Sequence, residues 1–407
     1  MPEGRGSAGG KIYSKAFDQY LAPRSRPCLK ATDQGATLLR RSPRLPGRPN
    51  FTRRPTPAPQ APGTTTDQTH PSHEDATKMI KIGTRISPDW LDHPDDLAFL
   101  KQIGVDVVDI TMDICPGYND AGGRANREGL AKVAETLDNA GLKVERANTL
   151  NSHFAKVFLG QEGADYEIES AQINAELCGE FGFPVMGIQC FQAAQLGTFS
   201  KPLHQRVTDP DGSSHYRMDL ADALQEQPAP EGAPTHDQLW ERTLRIFRET
   251  VPVAESCGVK LAMHGNDPPV PALYGVPQIL YNFEAFDRLF SEVDSPANCM
   301  TFCVGTRYES GEDIFEGIRR FGAKIAHVHF RNVRGTIPAD QAYEEVFPDR
   351  GDLDMYQVGR ALHEVGYQGA IDYDHIMGLS TDTPVGREYI AFCVGHARGM
   401  LQGLANS

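Results

Sequence analysis

Long apolar runs are missing from this sequence: none approaches the roughly 20 residues that a membrane-crossing helix requires. The N-terminus also lacks the apolar stretch of a secretory signal peptide. The 8 cysteines include no CxxC pair and none of the close spacings of a small disulfide scaffold, which speaks against a secreted, cross-linked domain. An excess of positive charge is absent too: the formal net charge is -14, which disfavours non-specific binding to nucleic-acid phosphates. No glycine-rich GxGxxG or GxxxxGK follows the first strand-like run, so dinucleotide and P-loop folds lose their best support. Together these absences describe a soluble, reduced, cytoplasmic protein with no membrane or nucleic-acid partner.

What the chain does have is material for a large core. Its 407 residues, 40% of them hydrophobic, suffice for a single barrel of about 250 residues with insertions. Residues 1–78 stand apart. They carry 13 Lys and Arg against 6 Asp and Glu, are rich in Pro, Arg and Thr, and show almost no apolar periodicity. Such a stretch cannot offset the entropy of ordering and reads as a disordered extension. Its proline density argues against the amphipathic helix of an organellar transit peptide. Met79 directly precedes the first strand-like run, so the expected catalytic domain covers 79–407.

Apolar strand-like runs recur at 81–86, 105–111, 142–148, 184–190, 259–264, 298–303, 324–330 and 369–374, and helix-like segments with three- and four-residue apolar spacing lie between them. Several of those segments stop at a glycine just before the next run, at Gly141, Gly258, Gly322 and Gly366. Eight such units predict a (β/α)8 TIM barrel rather than an open doubly wound sheet. The alternation breaks from Phe191 to about Thr235, at a polar insertion rich in Pro and Gly. Its place after the fourth run puts it at the C-terminal face of a barrel, as a lid or a disordered loop. His204 and His215 within it read as surface residues.

The last four runs each end on a group able to bind a divalent cation: KLAMH at His264, NCMTFC at Cys303, KIAHVHF at His329, and AIDYDH at Asp374 and His375. Taken singly, each is better explained as a hydrogen-bonded core or loop residue. Together, at the same end of four strands, they match the way a barrel gathers its chemistry. Imidazole, thiolate and carboxylate in one set suit Mn²⁺, Fe²⁺ or Zn²⁺, whereas Mg²⁺ and Ca²⁺ call for oxygen alone. The other cysteines read as inert core residues.

HGNDPPVP, TFCVGT, KIAHVHFRNV, EEVFPDRGDLDM and IDYDHI, in that order from Leu261 to the C-terminus, resemble the motifs of the mannonate dehydratase family. These are metal-dependent, xylose isomerase-like TIM-barrel enzymes of hexuronate breakdown. The resemblance implies that His264, Cys303, His329 and Asp374 bind Mn²⁺ or Fe²⁺ and that His375 and Tyr389 transfer protons. It also implies dehydration of D-mannonate to 2-keto-3-deoxy-D-gluconate, a step of glucuronate catabolism. This chain departs from the family in reading HGNDPP where HPDDPP is usual, and its N-terminal half matches less closely.

The residue types fit such a reaction. A base must take a proton next to a carboxylate, an acid must protonate the departing hydroxyl, and a cation can stabilise the charge between them. Arg331 is a candidate clamp for a substrate carboxylate, with a surface ion pair as the equally weighted alternative. Asn266 and Asp267 are candidates for orienting His264 or binding sugar hydroxyls. Arg85, His93, Asp113, Arg146 and His153, near the ends of the first three runs, are further candidate contacts. Glu344, Glu345, Asp352 and Asp354 read as caps for a helix opening near Met355. Two rivals remain. A sugar isomerase or epimerase of the same barrel class would carry Glu and Asp ligands rather than Cys303. A non-catalytic sugar-acid-binding paralogue is suggested by the altered HGND motif. The expected ligand in every case is a small sugar acid, and barrels of this size often form homodimers.

Overall fold

The computed structural model describes residues 80–191, 196, 203–223 and 229–405. The expected disordered extension at 1–78 and parts of the 191–235 insertion lie outside the described residues. Fourteen strands are present among those described: β1 (Lys81–Ile86), β2 (Val107–Thr111), β3 (Lys143–Asn148), β4 (Val185–Gln189), β5 (Gln205–Thr208), β6 (Ser214–Asp219), β7 (Lys260–His264), β8 (Ala272–Leu273), β9 (Val276–Pro277), β10 (Asn298–Cys303), β11 (Ile325–His329), β12 (Asn332–Arg334), β13 (Ala342–Val346) and β14 (Ala370–Asp372). Eight of them close a parallel barrel in the order β1-β14-β11-β10-β7-β4-β3-β2. These are the eight runs expected from sequence, most of them a residue or two shorter. No helix among the described residues is long and apolar enough to cross a membrane.

The helices form where the spacing demands it. Residues His236–Ser256 open with a capping box, in which the Thr235 side chain accepts from Gln238 N–H and the Gln238 side chain accepts from Thr235 N–H. The same helix buries Leu239, Phe247, Val251 and other residues of one face against the barrel. Gly258 and Gly366 take left-handed backbones (φ 71° and 74°), as glycine stops do. Gly322 differs from the expectation: its φ is -43°, and the chain turns into β11 through a 3-10 turn instead.

Among its described residues, the insertion is not an unstructured loop. Its β5 and β6 join β12 and β13 in a four-stranded antiparallel sheet, β12-β13-β6-β5, so two segments distant in sequence build one layer. His204 and His215 are therefore not surface residues. The His215 ring lies 3.1 Å from Asp209 and is 4% exposed, and His204 Nε2 is 2.7 Å from the Tyr343 hydroxyl.

Below the barrel mouth, His327 of β11 sits between two carboxylates. Its Nδ1 is 2.8 Å from Glu145 and its Nε2 is 2.9 Å from Asp372, all three being nearly inaccessible. Burial opposes the ring's charge, but Asp372 and Glu145 outweigh it and push the imidazole up to about 9 from an ordinary 6.5. The stabilisation from this ion triad is thus complete below pH 6.5 and is lost as pH rises through 9. Replacing His327 by Leu leaves two facing carboxylates uncompensated and should cost about 3–5 kcal/mol in urea unfolding near neutral pH. The gap between wild type and variant should narrow as pH climbs past 9. An equal midpoint at pH 7 would show that the triad carries no stability.

Candidate metal centre

The donors expected at the strand ends come together. β7, β10, β11 and β14 are neighbours in the barrel, and register pairs Thr301 with His264, Cys303 with His329, and His329 with Asp372. One ligand atom each from His264, Cys303, His329 and Asp374 falls within 4.8 Å of the others. Asp374 lies two residues beyond β14 with a left-handed backbone (φ 51°), and its N–H donates to Asp372 at 3.0 Å. A non-glycine residue held there is a local strain of the kind found at functional sites.

Each donor has a defined state. His264 Nδ1 lies 2.7 Å from the Gly265 carbonyl and donates to it, leaving Nε2 as the lone-pair nitrogen. Burial pushes this imidazole down to about 4. Cys303 opens the helix Val304–Glu309, and its sulfur accepts from Thr306 Oγ1 at 3.0 Å and Thr306 N–H at 3.5 Å. Burial pushes its thiol up to about 11, against the pull of Arg331. His329 is kept neutral by burial, and its Nδ1 is a buried atom with no hydrogen bond, 3.1 Å from Asp374 Oδ2. Burial also opposes charge on Asp374, yet its cationic surroundings, among them the Arg85 guanidinium donating to it at 2.6 Å, hold its carboxyl well below the usual range. Two neutral imidazoles, a sulfur and an ionised carboxylate, one nitrogen among them orphaned, form a donor set that fits a borderline divalent cation.

Two other clusters of His and carboxylates are engaged mainly with groups of the protein itself, although Asp109 Oδ1 in the first has no hydrogen-bond partner. In one, Asp109 Oδ2 accepts from Arg85 Nε at 2.8 Å and Arg146 Nη1 at 3.0 Å, while both nitrogens of His327 are spent on Glu145 and Asp372. In the other, His204, Asp267 and Glu345 surround Arg331 and Tyr343.

His375 borders the donor set. Its Nε2 is 3.2 Å from Asp374 Oδ2, and its Nδ1 is 2.7 Å from Glu345 Oε2. Burial opposes its charge, but Glu345 and Asp374 push the ring up to about 9. Tyr389 is 2% exposed on the helix Arg387–Ala405, edge-on to Phe347, with its hydroxyl bonded to Cys393 one turn on. Glu345 lies within its electrostatic reach.

Arg331 holds carboxylates of the protein itself. It donates to Glu309 (2.5 Å), Glu345 (3.3 Å), Asp267 (2.7 Å) and Thr306 Oγ1 (2.8 Å), and is 2% exposed. Asp267 further accepts from the Tyr343 hydroxyl at 3.0 Å. Asn266 is equally occupied: Nδ2 donates to Phe191 O and Gln278 Oε1, and Oδ1 accepts from Leu280 N–H. The geometry of these three fits bracing of the mouth rather than substrate contact.

Of the N-terminal candidates, Arg85 and Arg146 reach the centre, 3.4 and 3.2 Å from His329 Nε2, and Arg85 also donates to Asp374 at 2.6 Å. His93 is exposed, Asp113 accepts from Thr111, and His153 bonds with Tyr118 and the Glu167 carbonyl. The expected helix caps divide. Asp354 does cap Met355–Glu364, accepting from Tyr356 and Gln357 N–H. Glu344 instead pairs with Arg217 and Arg334, Asp352 accepts from Gly335 N–H, and Glu345 faces His375. Their shared acidity gave no sign of this, because strand alternation on β13 sends Glu344 and Glu345 to opposite faces.

Comparison with known proteins points one way. The family described as D-mannonate dehydratase (UxuA) matches residues 222–407. Mannonate dehydratase of Thermotoga neapolitana is 30% identical over 285 residues, covering 61% of this chain and 77% of its own length. That of Halalkalibacterium halodurans is 34% identical over a shorter 140 residues. Among solved structures, mannonate dehydratase from Streptococcus suis serotype 2 shares the fold with a TM-score of 0.69 at 22% identity, over 81% of this chain and 94% of that one. A xylose isomerase domain protein from Planctomyces limnophilus follows the same barrel at a TM-score of 0.54 and 13% identity, over 81% of this chain and all of that one. With 30% identity spread over three quarters of a relative and the fold shared over 81% of this chain, the chain belongs to the mannonate dehydratase family and is an enzyme of the lyase class.

Proposed function

We propose that this enzyme dehydrates D-mannonate to 2-keto-3-deoxy-D-gluconate, a step in hexuronate breakdown, at a divalent Mn²⁺ or Fe²⁺ centre held by His264, Cys303, His329 and Asp374. The observation that carries the reading is the convergence of those four donors at the C-terminal ends of adjacent strands. When bound, the cation supplies Lewis-acid stabilisation of the charge that develops on the substrate carboxylate and hydroxyl. The family relationship supports a small sugar acid as substrate. A sugar epimerase reading has the barrel in common, but nothing beyond the fold favours it.

The chain's own residues divide the proton work. Removing the C2 proton and releasing the C3 hydroxyl as water leaves an enol that becomes the 2-keto acid. His375 is the base in this reading: its Nε2 points toward the donor set beside Asp374, and a cation held there would offset the Asp374 charge that, together with Glu345, pushes the free ring up to about 9, leaving the ring able to take up a proton. Tyr389 is the acid, since burial holds its phenol protonated well above the usual range. Acting on substrate requires its hydroxyl to turn from Cys393 toward the mouth. Arg85 and Arg146 keep Asp109 and Asp374 charged and fixed in place.

Two outcomes test the centre. Because Cys303 is a thiol near 11, cation uptake should release its proton, so affinity should rise by up to about tenfold per pH unit through the neutral range. The imidazoles, already neutral there with His264 near 4, add no slope. Cys303→Ser should weaken cation binding, lose that slope and abolish turnover while melting like wild type. Full metal occupancy with an unchanged rate would remove Cys303 from the centre. Separately, His375→Asn should keep cation and D-mannonate bound yet slow the chemical step by about 10² to 10⁴. Wild-type turnover by that folded variant would end its proton-transfer role.

A further inference from the structure

The buried carboxylate of Glu345 has no place in the reaction as described so far, yet its shortest contact is with the proposed base. Glu345 belongs to β13, which is clamped between β12 (Val333 opposite Glu345) and β6 of the insertion (Glu345 opposite Tyr216). It is inaccessible to solvent. One oxygen, Oε2, lies 2.7 Å from His375 Nδ1. The other, Oε1, lies 3.3 Å from Arg331 Nη1 and 3.6 Å from His204 Nε2.

Neutralising Arg331 does not explain this placement. Asp267, held ionised at 2.7 Å, already pairs that guanidinium more closely than Glu345 does, and Glu309 accepts from it at 2.5 Å. The directional demand on Glu345 comes from the imidazole. With Nδ1–H committed to Oε2, the ring is fixed in rotation and its Nε2 is the nitrogen left facing Asp374 and the donor set. A carboxylate behind a histidine in this way selects tautomer and orientation without itself exchanging a proton with substrate.

We infer that Glu345 is the positioning residue for His375, and that the sheet shared by the insertion and the β12–β13 hairpin exists in part to deliver it. This deepens the proposed function, since it rests on His375 being the base. It also gives the insertion a role in the centre: β6 holds β13 in register, and His204 backs the carboxylate from the side away from His375.

The test uses the full chain loaded with diamagnetic Zn²⁺ for spectroscopy and with Mn²⁺ for kinetics. In wild type, the held Nδ1–H should give a far-downfield imidazole proton resonance, identified by its absence from His375→Asn. Glu345→Gln keeps the side-chain volume, but Arg331 attracts the amide oxygen and turns the NH₂ toward His375, so the resonance should vanish. Glu345→Asp retains an acceptor and should retain the signal. In turnover, Glu345→Gln should lower kcat by about 10² with KM and metal content within about threefold of wild type, the usual worth of such a partner. In the His375→Asn background the same change should cost less than about twofold, because there is no base left to position. Glu345→Asp should recover most of the loss.

A resonance that persists in Glu345→Gln, or a full second loss of rate in the double variant, would overturn the inference. If Glu345→Gln fails to fold, Glu345→Asp decides it: a retained signal and rate support the inference, and a retained fold with the signal lost overturns it. The proton resonance needs no substrate. A wild type that shows it but leaves D-mannonate untouched therefore sinks the proposed reaction while keeping the positioning role.

Discussion

The architecture of the mouth hangs on one buried guanidinium. Arg331 follows β11 into a space closed to water, where an unpaired cation would be prohibitively costly. Its burial is offset chiefly by two close partners, Asp267 from the loop after β7 at 2.7 Å and Glu309 from the helix after β10 at 2.5 Å, with Glu345 from β13 farther off at 3.3 Å. Asp267 and Glu345, both held ionised, are in turn expensive to bury without Arg331. The interaction therefore locks loops from separate βα units into one arrangement, and a shift in any of them strands a charge.

Every proposed chemical group borrows its position from that lock. Cys303 receives the Thr306 hydroxyl, which itself accepts from Arg331, so the guanidinium's charge is passed to the sulfur through one hydroxyl. His375 is held by Glu345, and the loop after His264 is pinned through Asp267 to Arg331 and Tyr343. On the other side of the centre, Arg85 and Arg146 perform the same service for Asp109 and Asp374. The donor set thus lies between two arginine-centred networks that keep its carboxylate ionised while burial keeps its imidazoles neutral.

How much of this was legible in the sequence follows from the range of each interaction. The eight barrel strands were visible because burial and strand length are local properties: VVDIT and NCMTFC are apolar enough to announce themselves. The four candidate donors could be named because each stands at or just beyond the end of one of those runs. Glu345 was not, because what gives it meaning is a histidine 30 residues on, and alternation alone separates it from the exposed-side partner Glu344. Arg85 and Arg146 could be ranked only as contacts near strand ends, since their partners Asp374 and His329 lie 289 and 183 residues away. The insertion's composition read as loop, and its strands are strands only because β13 offers an edge to pair with.

The departure from the family's HPDDPP motif has a local structural cause. At Gly265, a Cβ would come within 2.8 Å of both Arg307 Nη2 and the Leu280 carbonyl, so the buried arginine occupies the room a proline ring would need. Asn266 uses its NH₂ to donate to two carbonyl-type oxygens, Phe191 O and Gln278 Oε1, which an aspartate carboxylate could not do. Both changes therefore belong to how this chain packs the loop beneath β7, alongside Arg307. They leave the His264 to Gly265 hydrogen bond, the Asp267 to Arg331 pair and all four donors in place. A motif altered in its scaffold and intact in its donors is what a working enzyme with a re-packed loop would retain, and it removes the feature that had favoured a non-catalytic sugar-acid binder.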